Sequence, residues 1–151
     1  MGRMVRIVAA VTAMVFISTG AAFAAVLDGT AAGDALRGTN GADTIRGGGG
    51  GDILRGMGGD DRLYGDGGSD GLYGGAGDDR LEDRSVYGGG SDPVYGGSGS
   101  DNLYSGPGND FISSGDDGAA DYVDCGDGHD TVKRGSDTNL DRFVGCEEFV
   151  N

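Results

Sequence analysis

Gly47-Gly48-Gly49-Gly50-Gly51-Asp52-Ile53-Leu54-Arg55 joins a run of glycines to an acid and then to a triplet with leucine at its centre. Gly74-Gly75-Ala76-Gly77-Asp78-Asp79-Arg80-Leu81-Glu82 and Gly96-Gly97-Ser98-Gly99-Ser100-Asp101-Asn102-Leu103-Tyr104 keep the same order. Outward from these stretches, six nine-residue units run without interruption from Gly29 to Glu82, with aliphatic positions at Leu36, Ile45, Leu54, Leu63, Leu72 and Leu81. The unit is a glycine-rich turn, an aspartate, one variable residue, an aliphatic residue and one variable residue. Glycine supplies backbone with positive φ. In the triplet, the alternation of an extended strand sends the aliphatic side chain one way and its neighbours the other. One such strand buries too little alone, so the period predicts stacked copies forming a solenoid.

Eleven aspartates, Asp34, Asp43, Asp52, Asp61, Asp70, Asp79, Asp92, Asp101, Asp110, Asp121 and Asp130, each stand two residues before an aliphatic side chain. Carboxylates behind turns at fixed intervals build a ladder of like charges, and such a ladder requires a cation. Oxygen donors on a flexible turn favour calcium. The unit resembles the hemolysin-type calcium-binding nonapeptide, the RTX repeat.

That resemblance implies an all-β, right-handed parallel β-roll in which two repeats complete one coil. Asp34, Asp52 and Asp70 would then share one edge, and Asp43, Asp61 and Asp79 the other. The resemblance also implies several calcium ions between stacked turns, held by turn carbonyls and by the eleven aspartates as metal ligands. Strands sit about 4.7–4.9 Å apart, and two carboxylates about 4 Å apart repel by roughly 4 kcal/mol at an effective dielectric near 20. Burying one leucine contributes about 1.5–3 kcal/mol, so the metal-free chain is expected not to fold and metal binding is expected to couple to folding.

Departures from the unit grade the sites. Thr30, Ala31, Ala32, Thr39 and Ala42 replace turn residues in the first two units, Met57 and Asp66 take a usual glycine position, and Ser105 and Ser114 replace a leading glycine. Side chains at positive φ cost on the order of 1 kcal/mol or more. The best sites are therefore expected at Asp52, Asp61, Asp70, Asp79, Asp101 and Asp110, with weak or empty ones at the ends and beside Asp92 and Asp121. The repeats span 25–133 and are irregular at 83–95 and 114–124. Pro93 cannot donate to a sheet ladder, which predicts a gap there.

Net charge is −14, from 25 acidic and 11 basic residues, and Arg3 and Arg6 lie in a first segment without acids. No nucleic-acid partner is expected of such a surface. The chain has 35 glycines, but collagen requires one at every third position and a flexible linker would not hold its leucines in register. No tryptophan is present, and the sparse aliphatic complement falls short of an ordinary globular core, so bound metal is the expected supplement.

Residues 1–24 read as a secretory signal peptide: Arg3 and Arg6, an apolar stretch from Ile7 to Ile17, then Ala22-Phe23-Ala24 before cleavage. The apolar stretch is shorter than the roughly 20 residues of a spanning helix, so no membrane span is expected and the mature product is read as secreted and extracellular. In such a compartment Cys125 and Cys146 are read as a disulfide. It would pin residues 134–151 over the open end of the roll as a C-terminal cap, bringing Phe143, Val144, Phe149 and Val150 with it.

His129 is the only histidine and sits in a turn, and no Gly-x-Ser-x-Gly elbow accompanies it. The carboxylate pairs are accounted for by the repeat, leaving no cleft for a glycosidase, and a non-enzymatic protein is expected. Tyr64, Tyr73, Tyr87, Tyr95 and Tyr104 follow the aliphatic position and alternate outward. They would form aromatic stripes, read either as cross-strand packing or as an adhesion surface for a glycan, cell wall or protein partner. Self-association of rolls is a further open reading.

Overall fold

A computed structural model describes residues 5–8, 23–85, 89–135 and 140–151. Tyr87 and most of the expected signal peptide lie outside the described residues. Within that part the secondary structure is all strand, in parallel sheets. Strands alternate between two sheets as the chain advances, so the units coil into a parallel β-roll.

One sheet carries eight strands in the order Val5–Val8, Ala25–Asp28, Thr44–Gly49, Arg62–Gly67, Arg80–Glu82, Asn102–Tyr104, Tyr122–Asp124 and Arg142–Val144. The other carries seven: Ala35–Arg37, Ile53–Gly58, Gly71–Ala76, Pro93–Ser98, Phe111–Ser113, Thr131–Lys133 and Glu148–Val150. The short strands Pro107–Gly108 and Asp127–Gly128 pair within the turns. The segment Val5–Val8 lies in register with Ala25–Asp28.

Each triplet sends its central side chain inward, and the registers line these residues up. Leu27, Ile45, Leu63, Leu81, Leu103, Val123 and Phe143 form one file. Leu36, Leu54, Leu72, Val94, Ile112, Val132 and Phe149 form the other. Every aliphatic member is at most 1% exposed, so the core is two facing columns, one side chain per rung. Phe143 and Phe149 meet edge to face, centroids 5.4 Å apart, and close the column at the last rung. The guanidinium of Arg134 lies 3.6 Å from the Phe149 centroid.

The irregular segments do not break the files. The step between equivalent rungs is 18 residues in the regular block, 22 across residues 79–101, 20 from Asp101 to Asp121 and 17 from Asp130 to Glu147, because the differences are absorbed in turns while each triplet returns to register. At Pro93 the ladder thins as its chemistry requires. Gly71 N donates to Asp52 O at 2.8 Å and Phe111 N to Asp92 O at 3.0 Å, whereas Pro93 has no N–H to give in that position.

Outward-facing rings pack along the roll. Tyr73 stacks on Tyr95 with centroids 5.1 Å apart, and Tyr95 meets Phe111 at 5.9 Å. Tyr64 departs from the exposed stripe expected of it, at only 8% exposure. Arg84 and Arg46 stand 3.8 and 5.5 Å from its ring centroid. Their guanidinium groups lie over the ring and cover it.

Candidate metal centre

Each turn is built by glycine or by a residue forced to imitate it. Gly48 and Gly50 have φ of 103° and 100°, and the same turn position in the next two units is filled by Met57 at 93° and Asp66 at 68°. The stacking therefore holds two side chains in the left-handed region.

The aspartates point inward and interlock from rung to rung. On one edge Asp34 N donates to Asp52 Oδ1 at 2.8 Å, Asp52 N to Asp70 at 2.8 Å and Asp70 N to Asp92 at 2.6 Å. The series continues with Asp92 N to Asp110 at 2.9 Å and Asp110 N to Asp130 at 2.8 Å. On the other edge Asp43, Asp61 and Asp79 donate to Asp61, Asp79 and Asp101 at 2.8–2.9 Å, and Asp101 donates to Asp121 at 2.8 Å. These are the two edges that the resemblance to the nonapeptide repeat implies.

Two members of the ladders escape the sequence pattern. Asp121 N donates to Asp141 Oδ1 and Asp130 N to Glu147 Oε2, both at 3.1 Å. Asp141-Arg142-Phe143 and Glu147-Glu148-Phe149 repeat the order acid, variable, apolar with phenylalanine for leucine, and that was the available signal.

The second carboxylate oxygen is the chemical feature of the site. Oδ2 of Asp52, Asp61, Asp70, Asp79, Asp92, Asp101, Asp110 and Asp130 is buried without a hydrogen-bond donor. A buried oxygen bearing charge and lacking a partner is costly. Burial pushes the carboxyls of Asp61 and Asp101 up to about 8, those of Asp70 and Asp92 to about 7, and those of Asp79 and Asp110 to about 6. Asp52 and Asp130 are raised as well. The N–H of the aspartate one rung back opposes the rise, and nearby carboxylates add to it.

Backbone oxygens crowd the same space. A Cβ on Gly47 would stand 2.2 Å from Asp52 Oδ2, and one on Gly56 2.1 Å from Asp61 Oδ2. A Cβ on Gly68 would stand 1.6 Å from Gly50 O, and one on Gly97 2.0 Å from Gly75 O. The turns thus offer orphaned carboxylate oxygens beside carbonyls, an all-oxygen donor set that suits a hard cation such as calcium. Among the described residues no three His, Cys, Asp or Glu side chains converge on one point, so carbonyls would supply much of any coordination shell.

The first two turns differ. Asp34 Oδ2 accepts from Thr30 N at 2.6 Å and Thr30 Oγ1 at 2.9 Å. Asp43 Oδ2 accepts from Thr39 N, while its Oδ1 accepts from Thr39 Oγ1 at 3.1 Å and from Ala25 N at 2.6 Å. Threonine here satisfies the carboxylate oxygens that elsewhere have no donor.

At the far end Cys125 and Cys146 are joined, with Cα atoms 5.2 Å apart. Cys125 is fully buried in a leading turn position, its N–H donating to Val144 O at 3.0 Å. His129 sits exposed in its turn and its backbone N–H donates to Asn109 Oδ1 at 3.0 Å.

No curated protein and no solved structure matches the chain. The model of the RTX calcium-binding nonapeptide repeat, in four copies, matches residues 28–56, 46–81 and 86–118. With more than half of the sequence covered and the aspartate ladders in place, the chain belongs to the RTX calcium-binding nonapeptide repeat family.

Proposed function

We propose that this is an exported, non-enzymatic calcium-binding protein whose turns complete their ligand set with calcium and which takes up its roll only with the metal. One observation carries the reading: eight buried aspartates each keep one oxygen with no donor. Bound calcium supplies the positive charge that such a row of carboxylates lacks. The residues proposed as ligands are Asp52, Asp61, Asp70, Asp79, Asp92, Asp101, Asp110 and Asp130, with turn carbonyls beside them. Asp34 and Asp43, whose oxygens Thr30 and Thr39 already serve, are proposed as structural ends of the ladders, and Asp121 as a weaker ligand. Export rests on the leader-like composition of residues 1–24, and residues 134–151 act as the disulfide-pinned cap.

Titrating calcium into the chelated protein from residue 25 onward at neutral pH, with magnesium as control, tests this by far-ultraviolet circular dichroism. A cooperative gain of β signal is expected, with a midpoint near the roughly 10⁻⁴–10⁻³ M of extracellular calcium modules. A spectrum that is already β-rich in chelator, or that never responds, overturns the proposal.

A further inference from the structure

The segment that interrupts the repeat carries a carboxylate the nonapeptide pattern does not include. Asp83 occupies the leading turn position held by Gly47 and Gly65 in the two rungs before it and by Ser105 in the rung after. A Cβ on Gly65 would stand 2.6 Å from Asp70 Oδ2, so a side chain at this position lies close against the ladder carboxylate. Between Asp83 and its own ladder aspartate, Asp92, the turn is four residues longer than between Gly65 and Asp70.

Asp83 is 7% exposed and Asp92 1%. Asp83 Oδ1 accepts from Ser85 N at 3.0 Å and Ser85 Oγ at 3.1 Å, and Asp92 Oδ1 accepts from Asp70 N at 2.6 Å. The Oδ2 atoms of both are buried and have no donor. The two charges act on one another, and Asp83 also acts on Asp70 and Asp110. Above Asp83, the next rung has glycine: a Cβ on Gly106 would stand 2.8 Å from Asp83 Oδ2 and 3.2 Å from Asp83 O. Two buried carboxylates with unmatched oxygens whose charges act on each other are stable together only with a proton or a cation between them.

We propose that Asp83 and Asp92 form a divalent-cation site peculiar to this interruption, in which Asp83 supplies a ligand that no nonapeptide unit provides. The segment on which the sequence alone predicts a weak or empty site would then be an additional binding point, taking calcium through two carboxylates and nearby carbonyl oxygens. The inference rests on the reading of the turns as calcium sites.

Native mass spectrometry of the purified protein at saturating calcium tests it by counting bound ions in wild type, Asp83→Gly and Asp83→Ser. Glycine and serine are the residues that stand at this position in adjacent rungs, so both variants are compatible with the roll, and circular dichroism in calcium verifies it. Both variants are expected to retain one ion fewer than wild type, while magnesium in place of calcium gives no such difference. Equal ion counts in wild type and variants overturn the Asp83 site and leave the general calcium reading intact. A wild-type protein that binds no calcium overturns both.

Discussion

The backbone nitrogen of Ala25 lies 2.6 Å from Oδ1 of Asp43, with both residues almost wholly buried. In every later rung of this edge the equivalent donor is the N–H of an aspartate. Cleavage after Ala24 would turn this amide into an α-ammonium at the head of the ladder, placing a fixed positive charge against its first carboxylate. A charge-assisted hydrogen bond of this kind contributes about 1.5–3 kcal/mol. The chain beginning at Ala25 is therefore expected to melt higher in saturating calcium than the same chain with a short Gly-Ser extension. Asp43→Asn should remove most of that difference, and calorimetry of the four proteins measures it.

Much of this arrangement could be read from the sequence because period and pattern coincide. A nine-residue spacing with one aliphatic residue per triplet points to which side chains enter the core, and the resemblance to the nonapeptide family, with two repeats per coil, implies which aspartates share an edge. Leu81 and Leu103 find each other across an irregular turn for the same reason. Spacing places a residue in a column, but it does not say which atom its side chain reaches. Thr30 and Thr39 looked like damage to a turn, yet they donate to Asp34 and Asp43. Asp141 and Glu147 were hidden because the tail steps out of the nine-residue count before Phe143 and Phe149 restore the triplet.

Acidity should substitute for metal. The buried carboxyls have folded-state values raised above their ordinary 3.8, to between about 6 and about 8. A group raised on folding contributes stability that is fully present below its unfolded value and is lost as pH rises through its folded value. In chelator the protein is thus expected to gain β structure as pH falls from 8 towards 4, the stabilisation starting as each folded value is crossed and growing until the unfolded value is reached. Calcium affinity should weaken over the same window as protons compete for the carboxylates. Circular dichroism against pH, with and without calcium, checks both; a chelated protein that loses structure on acidification contradicts them.

Crowding, more than positive φ alone, should decide which glycines tolerate a side chain. Gly68 and Gly118 both have positive φ, 137° and 84°. A Cβ on Gly68 would stand 1.6 Å from Gly50 O, whereas nothing lies within 4 Å of one on Gly118. Gly118→Ala is expected to cost about 1 kcal/mol, the usual strain of a left-handed alanine. Gly68→Ala must also push two turns apart, so it should cost several-fold more and raise the calcium midpoint for folding. Denaturant unfolding in fixed calcium compares them.

Reduction should act at one end of the roll. The disulfide closes a loop with a sequence separation of 21, and a cross-link of that size stabilises by roughly 3 kcal/mol. Without it, Phe143 and Phe149 are held over Val123 and Val132 by one strand pairing each, by the ladder bonds to Asp141 and Glu147 and by their own edge contact. Hydrogen exchange in calcium is expected to speed up in Arg142–Val144 and Glu148–Val150 after reduction, while Leu54 and Leu63 remain protected. Uniform loss of protection along the roll would mean that the cap and the repeats unfold as one unit.

Thr39 allows the difference between a sealed turn and a metal turn to be tested by one substitution. Its N–H and hydroxyl both serve Asp43, in a turn whose counterparts at Asp61 and Asp79 have an unmatched oxygen. Thr39→Gly restores the residue of the regular unit and removes the hydroxyl, leaving Asp43 with fewer donors. Losing a hydrogen bond to a buried carboxylate costs about 1–3 kcal/mol. The variant is therefore expected to be less stable than wild type at every calcium concentration, because Oδ2 keeps the N–H of residue 39 and Oδ1 keeps that of Ala25, so no oxygen is left open to metal. Melting temperature measured across a calcium series reads this directly: a deficit that stays constant shows a turn sealed by its own backbone donors, whereas a deficit that closes as calcium rises would show that Asp43 takes metal after all.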